Sequence, residues 1–205
     1  EQAGREVEQQ LVDQARRAGN MTEEAHALYL IAGSRLPERE QLLAQFHDRW
    51  KDDHLVIDTW FTAQAIAPDP RTLARVEALM SHPLFALTAP NKVRALIGNF
   101  AMANPSQFNR ADGAGYRFLA EQVLAIEKFN PQIAARLLNA FRSWRALEPE
   151  RRRLARKVLT GLGKRIAPVN VSTLRSGALA SRLLGDSIFT NMMMVGFAAQ
   201  SGLLP

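Results

Sequence analysis

Cysteine is absent from all 205 residues. Its absence excludes disulfides, thiolate metal sites and Cys nucleophiles. It is also compatible with the cytoplasm, the expected location. Long hydrophobic runs are lacking too. The most apolar stretch, Ile188 to Ala199, is about a dozen residues long and is interrupted by Thr190 and Asn191, whereas a bilayer span needs roughly 20. No transmembrane helix and no membrane partner are expected. The chain begins Glu1-Gln2-Ala3-Gly4-Arg5-Glu6, without an apolar h-region or an initiator Met, so no secretory signal is expected and the chain reads as a fragment.

Catalytic signatures are equally sparse. A zinc peptidase of the H-E-x-x-H type needs two histidines one helical turn apart, with a Glu that acts on water. The histidines here are His26, His47, His54 and His82, and none is followed by Glu or spaced four from another. His47 and His54 would share a face only on an unbroken helix, and Asp52-Asp53 is expected to start a new one. Surface or capping roles are expected for the histidines, with no metal site and no cofactor in this chain. Gly33-Ser34 and Ser176-Gly177 lack a nucleophile elbow. Gly113 and Gly115 lack the third glycine and the preceding strand of a phosphate cradle.

What is present is helical. Leu42, Leu43, Phe46 and Trp50 recur at helical spacing, as do Val56, Ile57, Trp60, Phe61 and Ala65. Tyr116, Leu119, Val123 and Ile126 repeat the pattern, followed by Ile133, Leu137, Leu138 and Phe141. Pro37, Pro70, Pro131 and Pro149 are expected at first helical positions, with Asp69 and Asn130 as caps before two of them. Asp112-Gly113-Ala114-Gly115 reads as a turn into another helix. Ten to twelve helices of 9–18 residues with short connections are expected, in pairs about 35–45 residues apart. This rhythm fits an all-α, armadillo/HEAT-like superhelical array of antiparallel helix pairs. A compact helical bundle is the alternative.

The net charge of +6 is unevenly distributed. Residues 142–165 hold Arg142, Arg145, Arg151, Arg152, Arg153, Arg156, Lys157, Lys164 and Arg165 against Glu148 and Glu150. Only Trp144 accompanies them as a stacking aromatic, so no nucleic-acid partner is expected. A solvated helix face, an intramolecular acidic partner and a nucleic acid are the readings of this cluster, in that order. Composition shifts near Thr160, where Gly161, Gly163, Pro168 and Gly177 precede a different-looking segment. Two parts are expected, 1–162 and 163–205.

Several motifs in order carry a family resemblance: Arg49-Trp50-Lys51, Asp58-Thr59-Trp60-Phe61, Asn91-Lys92-Val93-Arg94-Ala95-Leu96-Ile97-Gly98, Asp112-Gly113-Ala114-Gly115-Tyr116, and Asn130-Pro131-Gln132 with Ala135-Arg136-Leu137. Residues from about 20 to 162 resemble the C-terminal helical domain of the bacterial aminopeptidase N family. The resemblance implies a non-catalytic domain of a zinc enzyme whose metal lies in a separate catalytic domain. It would cap the active-site chamber and help bind short peptides. The family's G-x-M-E-N substrate loop is absent. The tail, from about 165 to 205 and running through Gly185-Asp186-Ser187-Ile188 and Met192-Met193-Met194, resembles the end of the gamma-type domain of indolepyruvate-type 2-oxoacid oxidoreductases, which makes the chain an apparent chimera. A stand-alone helical interaction scaffold, or a fragment of such an oxidoreductase, is the alternative.

Gln132 and Arg136 are the candidate substrate-binding residues. They lie four apart, on one face of a helix expected to begin at Asn130-Pro131. A cation near a helix N-terminus opposes the macrodipole unless an anion lies in front of it. In the family the matching Gln and Arg face the chamber, which implies recognition of a peptide's C-terminal carboxylate or backbone. A structural pairing with Glu127 or Glu148 is the alternative.

Overall fold

The structure is a computed structural model and describes residues 10–14 and 16–166. These residues are helical at 10–14 and 16–17 and then form α1 (Met21–Gly33), α2 (Arg39–Trp50), α3 (His54–Ile66), α4 (Thr72–Leu79) and α5 (Pro90–Val93). A π turn (Arg94–Gly98) leads directly into α6 (Asn99–Ala103), α7 (Pro105–Phe108), α8 (Ala114–Glu127) and α9 (Pro131–Leu137). Two 3-10 turns (Leu138–Phe141 and Trp144–Ala146) precede α10 (Pro149–Ile166). No strand occurs among the described residues. The domain is an all-α, armadillo-like array. Its substantial packing follows chain order, as expected for a repeat architecture. The tail expected at 163–205 lies outside the described residues from 167 onward, as does the Met192–Met194 run.

Caps and prolines explain most helix starts. Asn20 accepts from Glu23 N–H, Asp53 from Leu55 and Val56 N–H, and Asn130 from Ile133 N–H. Each satisfies backbone donors that the first helical turn leaves free. The Asp53 cap opens α3 and separates His47 from His54. Pro131 and Pro149 occupy first helical positions as expected. Pro37 and Pro70 do not: each lies in the turn before its helix, which begins at Arg39 and Thr72 respectively. Asp69 is correspondingly a turn residue, whose carboxylate accepts from Arg71 N–H at 2.7 Å. Two proline starts, Pro90 and Pro105, were not anticipated. The expected helix lengths also need correction, since α5 and α7 are single turns of four residues.

α3 is the hub. Ile57, Phe61, Ala63 and Ala65 are fully buried, and Trp60 and Gln64 are nearly so. α3 packs against α1, α2, α4, α5, the π turn and α6. Polar ties fix it at both ends. Lys92 Nζ, itself buried, donates to His54 O (3.0 Å) and pairs with Asp58 (2.7 Å). At the other end the side-chain amide of Asn104 donates to Ala65 O and Ala67 O at 3.0 and 2.8 Å. Trp60 Nε1 donates to Leu43 O at 2.9 Å, joining α3 to α2. Full burial of a side chain such as Phe61 or Ile57 stabilises by about 1.5–3 kcal/mol.

The histidine expectation needs a partial correction. His54 is exposed at the first position of α3, and His82 Nδ1 accepts from Leu84 N–H in a capping-type turn. His47 and His82, however, belong to an aromatic cluster. Their ring centroids are 5.0 Å apart, each lies about 5 Å from Trp60, and His82 also meets Phe61 edge-on. Burial first, and the neighbouring His47 second, hold the His82 imidazole below its ordinary pKa.

The second half is organised by α8, which packs against α7, α9 and α10. Gly113 enters it with φ +66, a left-handed conformation that glycine adopts without cost. Gly115 is constrained by space: an added Cβ would lie 2.3 Å from Phe108 O and 2.8 Å from Phe108 Cα. The backbone of α8 therefore rests directly on α7. Around this contact Phe108, Tyr116 and Phe141 meet ring to ring, and Tyr116 Oη donates to Asn109 Oδ1 at 2.9 Å.

Gly115→Ala should therefore lose about 1–3 kcal/mol of unfolding free energy in urea titration, because backbone cannot yield as a flexible side chain can. A change within about 0.5 kcal/mol, the range of ordinary surface substitutions, would contradict the close approach. His82 gives a pH-dependent expectation. Its folded pKa lies below the ordinary histidine value of about 6.5, so the unfolded chain takes up the proton first. Stability should be complete above about pH 6.5 and decline as pH falls toward the depressed folded value. NMR titration should place the His82 ring below 6.5, and His82→Gln should flatten the decline. An identical slope in both proteins would contradict this assignment.

Candidate functional site

The corner between α8 and α9 carries the sequence-derived candidates. α8 ends at Glu127, and Asn130, at φ −145 and ψ 79, caps the next helix. Pro131 fixes the first helical position, where its missing N–H costs nothing. Ala134 and Leu137 turn inward onto α8, whose buried face includes Val123 and Ile126. That packing leaves Gln132 and Arg136, one helical turn apart, exposed. No hydrogen bond or ion pair among the described residues involves either side chain.

The structure differs from the sequence-based expectation in two ways at this corner. α9 is only seven residues long, so Arg136 falls in its last turn. A cation there is favoured by the helix dipole, so Arg136 needs no anion to offset it, contrary to the expectation from the sequence. The alternative pairing with Glu127 or Glu148 is not formed either. Glu148 caps α10, accepting from Glu150 and Arg151 N–H and pairing with Arg151 at 3.2 Å. These backbone N–H bonds, and then the Arg151 charge, hold the Glu148 carboxyl below its usual range.

What remains is a guanidinium and a carboxamide presented outward from a short, rigidly capped helix. Arg offers a planar fork suited to a carboxylate, and Gln offers both a donor and an acceptor. Phe129, immediately before the cap, is 47% exposed and adds an apolar surface to the same corner. It was not singled out from the sequence. The available signal was a large aromatic placed just outside the periodic face of α8.

The basic cluster is partly satisfied internally. Arg153 pairs with Glu150 at 2.6 Å, Arg152 donates to Leu147 O, and Arg151 donates to Asn109 O. Arg145 stacks 4.8 Å over Trp144. Arg142, Arg156, Lys157, Lys164 and Arg165 are exposed. Among the described residues no group of three or more His, Asp or Glu side chains is placed to hold a metal ion. No helix among them is long and apolar enough to cross a membrane.

Comparisons with known proteins give this geometry a context. Aminopeptidase N of Caulobacter vibrioides is 42% identical over 169 residues, which cover 82% of this chain and 19% of that protein. Aminopeptidase N of Haemophilus influenzae and of Escherichia coli are each 38% identical, over 145 and 148 residues, covering 71% of this chain and 17% of theirs. The chain thus spans less than a fifth of the length of the curated relatives it matches. A crystal structure of Legionella pneumophila aminopeptidase A in complex with aspartic acid superposes with a TM-score of 0.76 at 32% identity, covering 80% of this chain and 19% of that one. Residues 1–170 match the family described as "Domain of unknown function (DUF3458_C) ARM repeats". The chain belongs to this family of ARM-repeat domains, homologous to the C-terminal domain of aminopeptidase N.

Proposed function

We propose that the chain is the non-catalytic C-terminal domain of a cytoplasmic zinc aminopeptidase, which caps the active-site chamber and helps bind short peptide substrates. The homology over most of the chain to a small part of each aminopeptidase N carries this reading. The sequence lacks H-E-x-x-H, so zinc and the hydrolytic step are assigned to the parent's catalytic domain, this domain's partner. The chain's own contribution is binding and enclosure.

Within this reading Gln132 and Arg136 contact the far end of the peptide. Both are exposed, one turn apart and without partners among the described residues. The Arg136 fork takes the substrate's C-terminal carboxylate, and Gln132 takes a backbone amide or carbonyl. Such remote contacts accelerate the reaction when their binding energy positions the scissile bond at the distant metal. An outer wall also restricts the chamber to small peptides.

In the full-length enzyme, Arg136→Ala should weaken a tripeptide substrate and spare an amino-acid anilide, which has no carboxylate to offer. Loss of one charge-assisted hydrogen bond costs about 1.5–3 kcal/mol, roughly ten- to a hundredfold in kcat/KM. Gln132→Ala should act in the same direction by less, because it is neutral. Equal losses on both substrates would make Arg136 a structural residue, and no change on either would remove the pair from the substrate path.

A further inference from the structure

A second group of residues, on α1, α2 and α4, leaves guanidinium nitrogens that the packing of these helices does not satisfy. Arg39 opens α2 and is only 3% exposed. Its Nε donates to Ala32 O near the end of α1, and its Nη1 donates to Glu40 Oε1, both at 2.9 Å. Arg75, from α4, donates through Nη2 to the same Glu40 Oε1, also at 2.9 Å. One carboxylate oxygen therefore serves two guanidinium groups. Each keeps a further terminal nitrogen, Arg39 Nη2 and Arg75 Nη1, shielded from solvent and without a hydrogen-bond acceptor. Buried cationic donors without acceptors are costly, and native structures rarely leave them so without a reason. Burial, and then the facing Arg75 charge, push the Arg39 guanidinium below its ordinary pKa.

Arg39 and Glu40 line a surface cavity of about 620 Å³ together with Ser34, Arg35, Asp69 and Arg71. Asp69 gives neither arginine a hydrogen bond, because Arg71 holds both of its oxygens, at 3.1 and 2.8 Å, and it favours the Arg39 cation only through its charge. Glu40, in contrast, is 69% exposed. It is the only carboxylate that pairs with Arg39 or Arg75 among the described residues, and it is the one that can swing away into solvent.

We infer that Arg39 and Arg75 form a binding site for a small oxoanion, a phosphate or a carboxylate, which enters from this cavity and displaces the exposed Glu40 side chain. The incoming anion takes over the two hydrogen bonds that Glu40 gives up and supplies acceptors to Arg39 Nη2 and Arg75 Nη1. Two guanidinium groups from different helices suit a multi-oxygen anion, since each can give it a charge-assisted bond. Glu40 acts as an internal competitor that occupies the site when no anion is bound.

The test uses the full chain, labelled with ¹⁵N, and follows the arginine Nε–H signals. Inorganic phosphate and acetate are titrated separately, against sodium chloride at matched ionic strength. Saturable shifts at Arg39 and Arg75 are expected. Phosphate alone would assign the site to tetrahedral oxoanions, and acetate alone to carboxylates; either result, or both, supports it. Glu40→Gln should tighten binding about fivefold, the factor a like charge about 4 Å away costs in water. Arg75→Gln should weaken it about tenfold or more while the fold persists, because the side-chain hydrogen bonds of Arg75 run only to Glu40. Shifts no larger than those with chloride would overturn the inference. So would unchanged affinity in Arg75→Gln, or weaker affinity in Glu40→Gln.

Discussion

Helix α3 is the constraint on which the first half of the domain depends. Its residues face neighbours on nearly every side, so its polar groups must be satisfied from within the protein. The Lys92–Asp58 pair and the Lys92 bond to His54 O hold one end, and Asn104 holds the other through the carbonyls of Ala65 and Ala67. These ties come from residues 34 to 39 positions later in the chain, which fixes α5, the π turn and α7 relative to α3. The second half hangs from that arrangement through α7, where Gly115 lets α8 rest on the Phe108 backbone. The position of α9, and of Gln132 and Arg136 with it, follows from α8.

This chain of dependence gives the proposed function its physical basis. A wall that positions a substrate must hold its contacts to within a fraction of an ångström, which loops seldom do and packed helices can. α9 is short, capped by Asn130, stiffened by Pro131 and anchored through Ala134 and Leu137. Its two exposed polar residues are presented on a rigid element. In the proposed function, their value to an enzyme would lie in contacts made far from the reacting bond.

Much of this was legible in the sequence, for reasons particular residues make clear. The periodic runs around Leu42, Trp60, Leu119 and Leu137 identified the buried faces, because apolar spacing near 3.6 residues leaves few other structures open. Asn130-Pro131 marked a helix start because cap and proline act together. Pro37 and Pro70 misled because proline also fits the turn before a helix, and only the backbone geometry distinguishes the two positions. The short length of α9 was hidden because Leu138 and Phe141 continue the apolar rhythm through a 3-10 turn. The aromatic setting of His47 and His82, and the two guanidinium groups on Glu40, join residues 35 positions apart, and no local pattern encodes such a meeting.

The central claim is that α9 faces the far end of a bound peptide in the parent enzyme. A short peptide carrying a photoreactive group at its C-terminal residue, bound to the full-length enzyme and irradiated, tests it most directly. Mass spectrometry of the digested adduct should place the cross-link within residues 129–137. Cross-links confined to other segments, at saturating peptide and with normal turnover, would contradict the account.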